Sequence, residues 1–312
     1  MMKKFSVVVP VFDEVKNVAP LHKKIVAEMK RLGEAYEIIF VDDASTDGTL
    51  EKCKTLSPLI SVALRRNSGQ SAAMDAGVRV ATGEYLIFLD GDGQNDPVDI
   101  GKMFLFLHEQ HLDLVCGWRK DRKDPFFKRL ISRGAFFLRQ LLVKDGIHDS
   151  GCTLKVARRE VFDGLDLVGE MHRFIPAMLR IQGFSVGEMV VSHHARKFGI
   201  TKYNWRRTLK GFLDMLSLVF WQKFANRPMH FLGGIGLVFF ALGLATSISA
   251  ILQKILLGRD LSDTSLTMMA LFFFFFGIHF FILGILFDIT TKIFYSSTKT
   301  RAYVVREIFK NS

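Results

Sequence analysis

The stretch Phe88-Leu89-Asp90-Gly91-Asp92-Gly93-Gln94 decides the fold, because it joins an apolar run to a turn rich in oxygen ligands. The aromatic and aliphatic residues 85–89 predict a buried strand, and the two glycines allow a tight turn after it. The carboxylates then lie at the carboxyl end of a strand, which is where open α/β sheets bind ligands. Oxygen ligands suit Mg²⁺ or Mn²⁺. The alternative is an Asp- and Gly-rich surface turn, since Asp-x-Asp alone is a common pattern.

Strand and helix patterns alternate on both sides of this stretch. They predict an α/β fold, a mainly parallel sheet with helices on both faces. The predicted strands are residues 4–11, 36–41, 61–64, 85–89, 112–116 and 184–191, and the clearest predicted helices are 71–81 and 99–111. Neither a Gly-x-Gly-x-x-Gly nor a Walker-type loop occurs, so the sequence does not support a Rossmann dehydrogenase or a P-loop kinase. The three cysteines lack C-x-x-C spacing, which argues against a disulfide framework or a zinc site.

Two apolar stretches, residues 229–252 and 266–287, predict two transmembrane helices near the C-terminus. At about 1.5 Å per residue, either can cross a hydrocarbon core of roughly 30 Å. A buried core helix is the alternative for each. Lys and Arg residues precede the first stretch and follow the second, so the positive-inside tendency predicts that both chain ends are cytoplasmic. The N-terminus also lacks a signal-peptide core.

Basic amphipathic patterns occur at residues 126–142 and 205–224. Such a helix can lie in the headgroup layer of a membrane or pack on the sheet. For the first segment both interpretations stay open. For the second, which continues into the first apolar stretch, the interfacial position is favoured. The formal net charge of +11 then indicates an anionic membrane surface rather than nucleic acid.

Other polar residues lie where predicted strands end. Asp42 and Asp43 stand side by side after the second strand, where carboxylates can accept hydrogen bonds from a base or a ribose. Asp47 can instead cap the following helix. His193 and His194 follow the last predicted strand, and their pattern fits a structural or acceptor-proximal role better than a catalytic one.

Several motifs together resemble the family 2 glycosyltransferases of the GT-A fold. They are VVVPVFDE at 7–14, VDDASTDGT at 41–49, RNSGQ at 66–70 and LDGDGQ at 89–94. Three later stretches narrow the resemblance to the polyprenyl-phosphate glycosyltransferases, which include dolichol-phosphate mannose synthase and bacterial undecaprenyl-phosphate glucosyl and aminoarabinosyl transferases. These stretches are DSGCTLK at 149–155, EMHRFIP at 170–176 and RKFGITKY at 196–203. The two apolar stretches match the bacterial members.

The resemblance implies a role for particular residues. The donor-binding residues would be Pro10, Phe12, Glu14, Asp42, Arg66, Gln70 and Asp90. The ligands of Mg²⁺ or Mn²⁺ would be Asp90, Asp92 and Gln94. The residues facing the phosphate of a lipid acceptor would be Arg119, Arg133, Arg196 and Lys202, which with Asp90 and Asp92 complete the catalytic set. Each basic residue also has an explanation that does not involve the acceptor: it can end a strand, contact headgroups or belong to a solvated loop.

The chain departs from the family pattern at three positions. Thr201 replaces the serine of a Gly-x-Ser-Lys-Tyr motif and keeps its hydroxyl. Gly91 and Gly93 replace the Ala and Leu of the common Asp-Ala-Asp-Leu-Gln form. The predicted ligand types at 90, 92 and 94 are unchanged.

The implied reaction is an inverting, metal-dependent transfer of a sugar from a UDP- or GDP-sugar to a polyprenyl monophosphate at the cytoplasmic face of the cell membrane. A processive polysaccharide synthase is one alternative, but the sequence lacks the Gln-x-x-Arg-Trp motif typical of that class. A non-catalytic membrane adaptor that binds nucleotide sugar is another. The expected partners are the donor, the lipid acceptor and the membrane, and homo-oligomerisation stays open.

We therefore expect four parts in this chain. They are a cytoplasmic GT-A catalytic domain (1–204), an amphipathic interfacial helix (205–228), a transmembrane helical hairpin (229–290) and a cytoplasmic basic tail (291–312).

Overall fold

The computed structural model describes residues 4–120, 146–194 apart from 166, 168 and 170, 228–297 and 303–311. It consists of two compact units, one formed by residues 1–215 with 301–312 and the other by residues 216–300. The amphipathic segments predicted at 126–142 and 205–224 lie outside the described residues, as do Arg133, Arg196 and Lys202.

The first unit contains a sheet flanked by helices. Its strands are β1 Phe5–Val11, β2 Tyr36–Asp42, β3 Leu59–Leu64, β4 Tyr85–Phe88, β5 Leu114–Trp118, β6 Lys155–Arg158, β7 Val186–Val190 and β8 Val305–Asn311. Its helices are α1 Val18–Leu32, α2 Thr49–Lys54, α3 Gln70–Val80, α4 Asp99–Glu109 and α5 Ile175–Ile181, with short 3-10 turns at Arg159–Phe162 and Met171–Arg173.

The sheet order is β7-β5-β6-β4-β1-β2-β3-β8. Strands β1 to β5 and β7 run parallel, whereas β6 and β8 run antiparallel to their neighbours. The chain moves outward from β1 to β3 and then returns to the other side of β1 to form β4. The topological switch point, where open α/β sheets bind ligands, therefore lies between β1 and β4. The prediction of a mainly parallel α/β sheet is confirmed.

The central strands are buried on both faces, as parallel strands covered by helices should be. Val7 and Val9 of β1 belong to a core cluster with residues of α1 and α4. Val8 points to the opposite face, which α3 covers. Each of these valines is fully buried, and such burial contributes about 1.5–3 kcal/mol per side chain. The three cysteines are free and buried, and they act as small apolar side chains of the core.

The last described residues differ from the predicted basic tail. Residues 305–311 form β8, which pairs with the edge of β3. Just before it, Tyr303 is buried and its hydroxyl donates to Asp75 of α3 at 2.8 Å. Lys54 of α2 forms an ion pair with Glu307 at 3.1 Å. The charges of this segment resemble those of a solvated tail, but an edge strand needs only one neighbour and keeps its polar side chains in water.

The second unit consists of α6 Pro228–Leu257 and α7 Ser265–Ser297. Residues 231–257 and 265–287 within them are long and apolar enough to cross a membrane. Large apolar side chains remain exposed around both helices, as expected for surfaces that face lipid. The helices approach each other at Gly236 and Gly277, since a Cβ on Gly236 would lie 2.9 Å from the Gly277 carbonyl oxygen. Small residues commonly permit such approach in membrane helices.

Candidate functional site

The predicted metal ligands lie on the loop that leaves β4 at the switch point. The Gln70 side-chain amide, at the start of α3, donates to Asp90 Oδ1 at 2.7 Å. The backbone N–H of Gln94 donates to Asp92 Oδ1 at 3.1 Å and closes a tight turn. Both carboxylates and the Gln94 side chain are half-buried. The structure therefore brings one predicted donor-binding residue, Gln70, into direct contact with one predicted metal ligand, Asp90.

The two unusual glycines fit this loop for different reasons. A Cβ on Gly91 would lie 2.7 Å from Val11 Cγ1 and 3.0 Å from the Pro10 carbonyl oxygen, so the loop follows β1 very closely. Gly93 has a φ of +72°, in the left-handed region that favours glycine. Pro10, a predicted donor-binding residue, is thus adjacent to the metal-ligand loop.

The donor set of this loop fits a hard divalent cation. Asp90 and Asp92 supply carboxylates and Gln94 a carboxamide, and Mg²⁺ and Mn²⁺ prefer such oxygens together with phosphate or water ligands. Within the part of the chain that the structure describes, no group of three or more His, Cys, Asp or Glu side chains could hold a metal. A cation here would therefore need the carboxamide and oxygens from a substrate or from water.

Reciprocal hydrogen bonds join the loops after β1 and β2. The Asp13 N–H donates to Ser45 Oγ at 2.9 Å, and the Thr46 N–H donates back to Asp13 Oδ1 at 2.9 Å. The Glu14 N–H donates to Thr49 Oγ1 at 2.8 Å. These bonds fix the edge of the crevice where donor-binding residues are predicted.

Asp42 is buried at the end of β2, and its carboxylate accepts the backbone N–H of Ser45 at 3.2 Å. Burial raises the pKa of Asp42, the bonds from Ser45 oppose this shift, and the nearby carboxylates of Asp47 and Asp13 add to it. A buried carboxylate at this edge has the chemistry to accept N–H or O–H groups from a base or a ribose.

Asp43 has a different task from its neighbour. Its two carboxylate oxygens accept the N–H groups of Ser68 at 2.7 Å and Gly69 at 2.8 Å, so it shapes the loop before α3. Both oxygens of Asp43 are thus occupied by backbone groups, which argues against the hypothesis that Asp43 binds the nucleotide together with Asp42. Arg66 is exposed on the same loop, and Phe12 is half-buried at the end of β1.

Glu14 supports the start of α1. It is buried, and its carboxylate accepts the side-chain amide of Asn17 at 2.5 Å. This bond gives Glu14 a structural role that the sequence did not indicate, and its predicted contact with a donor stays a prediction.

At the end of β5, Arg119 forms a bidentate ion pair with Asp149. The distances are 2.7 Å from Nε to Oδ2 and 2.9 Å from Nη2 to Oδ1, and the side chains are only 10% and 15% exposed. Burial opposes the charge of Arg119, but the hydrogen bond and charge of Asp149, with a contribution from Asp90, raise its pKa. A guanidinium has five N–H groups, so this pair leaves donors for a phosphate.

The residues that support Arg119 could not be recognised from the sequence. Asp149 belongs to the DSGCTLK motif at 149–155, but the motif does not indicate its partner. Glu188 of β7 accepts the backbone N–H groups of His148 at 3.0 Å and Asp149 at 2.8 Å, and so holds the loop in place. The sequence indicated this role only through the position of Glu188, an acidic residue in the otherwise apolar strand β7. Cys152 lies nearby, but burial raises the pKa of its thiol to about 11, so it stays neutral and is unsuited to nucleophilic attack.

The residues after β7 lie against the same loop. The backbone N–H of His194 donates to the Gln94 carbonyl at 2.9 Å, and His193 forms a β-bridge with Asn95. The histidine pair is thus near the predicted metal ligands and makes structural bonds there.

Solved structures share the fold of the first unit. Mannosyl-3-phosphoglycerate synthase from Rubrobacter xylanophilus aligns with a TM-score of 0.58 and 18% identity over 71% of this chain and 75% of its own. Glucosyl-3-phosphoglycerate synthase from Mycobacterium tuberculosis, solved with Mn²⁺ and UDP-glucose, aligns with a TM-score of 0.51 and 16% identity over 70% and 79%. These similarities confirm the predicted GT-A fold.

Curated relatives cover almost the whole chain. The dodecaprenyl-phosphate galacturonate synthase of Rhizobium johnstonii is 38% identical over 97% of this chain and 92% of its own length. An undecaprenyl-phosphate 4-deoxy-4-formamido-L-arabinose transferase of Aeromonas hydrophila is 29% identical over 100% and 95%. Residues 6–165 match glycosyl transferase family 2. The family match agrees with the switch-point loop and with the sheet order. This chain therefore belongs to glycosyl transferase family 2.

Proposed function

We propose that this protein transfers a sugar from a nucleotide-sugar donor to a polyprenyl monophosphate, with inversion at the anomeric carbon and with a divalent cation. The observation that carries the proposal is the switch-point loop, where Asp90 accepts a bond from Gln70 and lies within electrostatic reach of Arg119. The 38% identity to a dodecaprenyl-phosphate galacturonate synthase supports a lipid phosphate as acceptor. The two apolar helices fit such a substrate.

Asp90, Asp92 and Gln94 would hold the Mg²⁺ or Mn²⁺ ion, which supplies positive charge to offset the negative charge on the departing nucleoside diphosphate. The buried Asp42 would accept hydrogen bonds from the base or ribose, and Gln70 would orient Asp90. Pro10 and Phe12 would line the same crevice. These residues position the donor rather than react with it.

The acceptor needs no dedicated general base. A lipid monophosphate is already an anion near neutral pH, so its oxygen can form a bond to the anomeric carbon while the bond to the diphosphate breaks on the opposite side. The electron pair of the broken bond leaves with the nucleoside diphosphate. Arg119 would reduce the repulsion between the two anionic substrates, and Arg133, Arg196 and Lys202 would assist it.

The same proposal predicts where the protein lies in the cell. The two apolar helices would span the cell membrane, and the catalytic unit and both chain ends would lie on the cytoplasmic side, where nucleotide sugars are made. The excess of Lys and Arg outside the helical pair supports this orientation.

The test is a transfer assay with the detergent-purified protein, undecaprenyl phosphate and Mn²⁺. UDP-galacturonic acid is the first donor to try, because of the relative named above, and UDP-glucose and GDP-mannose complete the panel. We expect one donor to yield a lipid-linked sugar by mass spectrometry. Asp92→Ala should lower turnover by roughly a thousandfold, because a metal ligand contributes several kcal/mol of charge stabilisation.

The control is Glu34→Gln, which removes an exposed ion pair with Lys4 that is remote in sequence from the loop. Full activity in Asp92→Ala would contradict the assigned site. Donor binding without transfer from any donor would instead favour a non-catalytic adaptor.

A further inference from the structure

His172, which belongs to the EMHRFIP motif at 170–176, contacts the first turn of α3. Its backbone N–H donates to Ser71 Oγ at 3.1 Å, and its ring nitrogen Nδ1 lies 2.8 Å from the same oxygen. Both residues are buried. They are 101 positions apart in the chain, and neither belongs to the predicted donor-binding, metal-binding or acceptor residues.

The geometry of this pair assigns its protons. Ser71 Oγ accepts the His172 N–H, and in the part of the chain that the structure describes the hydroxyl has no partner besides this N–H and Nδ1. A buried hydroxyl needs an acceptor for its proton, so the Ser71 O–H donates to Nδ1. Each residue therefore donates one hydrogen bond to the other, and the two bonds together fix the first turn of α3.

Gln70 is the residue before Ser71, and its backbone is held from the other side as well. The carboxylate of Asp43 accepts the N–H groups of Ser68 at 2.7 Å and Gly69 at 2.8 Å. Gly69 occupies the N-cap position and has no side chain with which to cap the helix. The start of α3, and with it Gln70, is therefore fixed by Asp43 on one side and by the Ser71–His172 pair on the other.

The position of Gln70 matters because its side chain reaches a predicted metal ligand. The amide nitrogen donates to Asp90 Oδ1 at 2.7 Å and lies 3.4 Å from the buried hydroxyl of Thr153. A shift of the first turn of α3 by about 1 Å away from Asp90 would stretch the bond to Asp90 beyond hydrogen-bonding distance. The orientation of Asp90 thus depends on residues that do not touch it.

We propose that Ser71 and His172 are positioning residues for the cation site and that they act on it through Gln70. The inference rests on the function proposed above, because it takes Asp90 as a ligand of the divalent cation. The pair fixes the start of α3, Gln70 holds Oδ1 of Asp90, and Oδ2 is left for the cation. Groups that orient a metal ligand typically raise metal affinity by roughly ten- to a hundredfold.

A purely structural role makes a different prediction, since a buried pair of hydrogen bonds stabilises the fold wherever it lies. Ser6 provides a matched comparison. Its buried hydroxyl donates to Glu37 Oε1 at 2.6 Å and accepts the N–H of Gly83 at 2.8 Å. Ser6 lies near the start of β1, whereas the metal-ligand loop follows the end of the parallel strand β4. The two serines therefore make similar bonds at opposite edges of the sheet.

The experiment compares the wild type with Ser71→Ala, Gln70→Ala, the double variant of these two, and Ser6→Ala as the control. Mn²⁺ affinity is measured by electron paramagnetic resonance, which needs no turnover, and thermal unfolding is recorded for each protein. Ser71→Ala removes the oxygen that makes both bonds to His172, and the smaller side chain fits the buried site.

Both serine variants should melt at lower temperatures, but only Ser71→Ala should bind Mn²⁺ less tightly, by roughly tenfold. Gln70→Ala should lower Mn²⁺ affinity by at least as much. The double variant should bind Mn²⁺ no more weakly than Gln70→Ala, because Ser71 acts on the cation site through Gln70 and the two losses are then not additive in free energy.

Three results would overturn the proposal: wild-type Mn²⁺ affinity in folded Ser71→Ala or Gln70→Ala, an equal loss of affinity in Ser6→Ala, or fully additive losses in the double variant. If Ser71→Ala does not fold, two variants of His172 decide the question. His172→Asn keeps an acceptor close to the position of Nδ1 and should bind Mn²⁺ more tightly than His172→Leu. Equal affinity in these two variants would also contradict the positioning role.

Asp92→Ala separates this outcome from a failure of the proposed function. If Asp92→Ala binds Mn²⁺ as tightly as the wild type, the assigned cation site is wrong, and the inference about Ser71 and His172 is wrong with it. If Asp92→Ala loses Mn²⁺ and folded Ser71→Ala does not, the cation site stands and only the positioning role is contradicted.

Discussion

Two strand ends of the same sheet hold carboxylates in opposite ways. At the end of β4, Asp90 accepts a hydrogen bond from the neutral amide of Gln70 at 2.7 Å. Near the end of β5, Asp149 is in a bidentate ion pair with Arg119 at 2.7 and 2.9 Å. A neutral donor orients a carboxylate and leaves its charge for a ligand, whereas an ion pair cancels most of that charge.

This difference separates an acid available to a ligand from an acid that orients a neighbouring residue. Asp90 is only half-buried, and its charge is suited to a cation. Asp149 fixes the direction of the buried Arg119 guanidinium and, within the described part of the chain, is the carboxylate paired with it. Loss of the first should therefore affect activity, and loss of the second should affect both stability and acceptor binding.

The largest effect is expected at β4. Asp90→Asn preserves the shape of the side chain but removes its charge, so turnover with Mn²⁺ should fall by roughly a thousandfold. The melting temperature should stay the same or rise, because functional acids held close together usually cost stability. Steady-state kinetics and thermal unfolding test this. A large fall in melting temperature would show that Asp90 is structural and would remove the contrast with Asp149.

A smaller loss of activity and a larger loss of stability are expected at β5. Asp149→Ala leaves Arg119 in a site where it is 10% exposed without its carboxylate. Removing one partner of such a pair lowers the free energy of unfolding by about 3 kcal/mol. The acceptor KM should rise roughly tenfold as Arg119 loses its orientation. Denaturant unfolding and acceptor titrations measure both effects.

Asp149→Asn is the matched variant for this pair, because it retains hydrogen-bonding atoms without the charge. It should fall between the wild type and Asp149→Ala in both measurements. An unchanged free energy of unfolding in both variants would mean that the pair near β5 contributes no more than a surface ion pair.

The smallest effect concerns pH and the third acid, Asp42. Burial raises its pKa above the ordinary range, so its carboxylate takes up a proton at a higher pH than an exposed aspartate. The fold therefore favours the protonated form of Asp42. The contribution of this protonated carboxyl to the free energy of unfolding is present at low pH and is lost as the pH rises through the raised pKa. The charged form is the one proposed to bind the donor, so the donor KM should rise as the pH falls through the raised pKa.

Asp42→Asn should make the donor KM insensitive to pH in this range. The control is Asp43→Asn, because burial also raises the pKa of Asp43, while its carboxylate is occupied by the N–H groups of Ser68 and Gly69. A donor KM with the same pH dependence in Asp42→Asn as in the wild type would exclude Asp42 as the titrating group.

Most strands of the catalytic sheet could be predicted because parallel strands buried on both faces are nearly continuous apolar runs. Residues 85–89 and the glycines after them carried that signal clearly. The antiparallel strands β6 and β8 were missed, since each is short or charged and its identity depends on a neighbour distant in sequence. The same reason applies to the site. The motif residues could be predicted from the sequence, but the distant residues that contact them could not.

The sequence by itself determined the α/β class, the two apolar helices and the acids at 90 and 92, because hydrophobic periodicity and short-range motifs are local properties of a chain. Only the tertiary structure decided that Asp149 orients Arg119, that His194 holds the loop of Gln94, and that residues 305–311 complete the sheet. Each of these contacts joins residues that are at least 30 positions apart. Pairing at such separation depends on strand order and on loop packing, which local residue patterns do not encode.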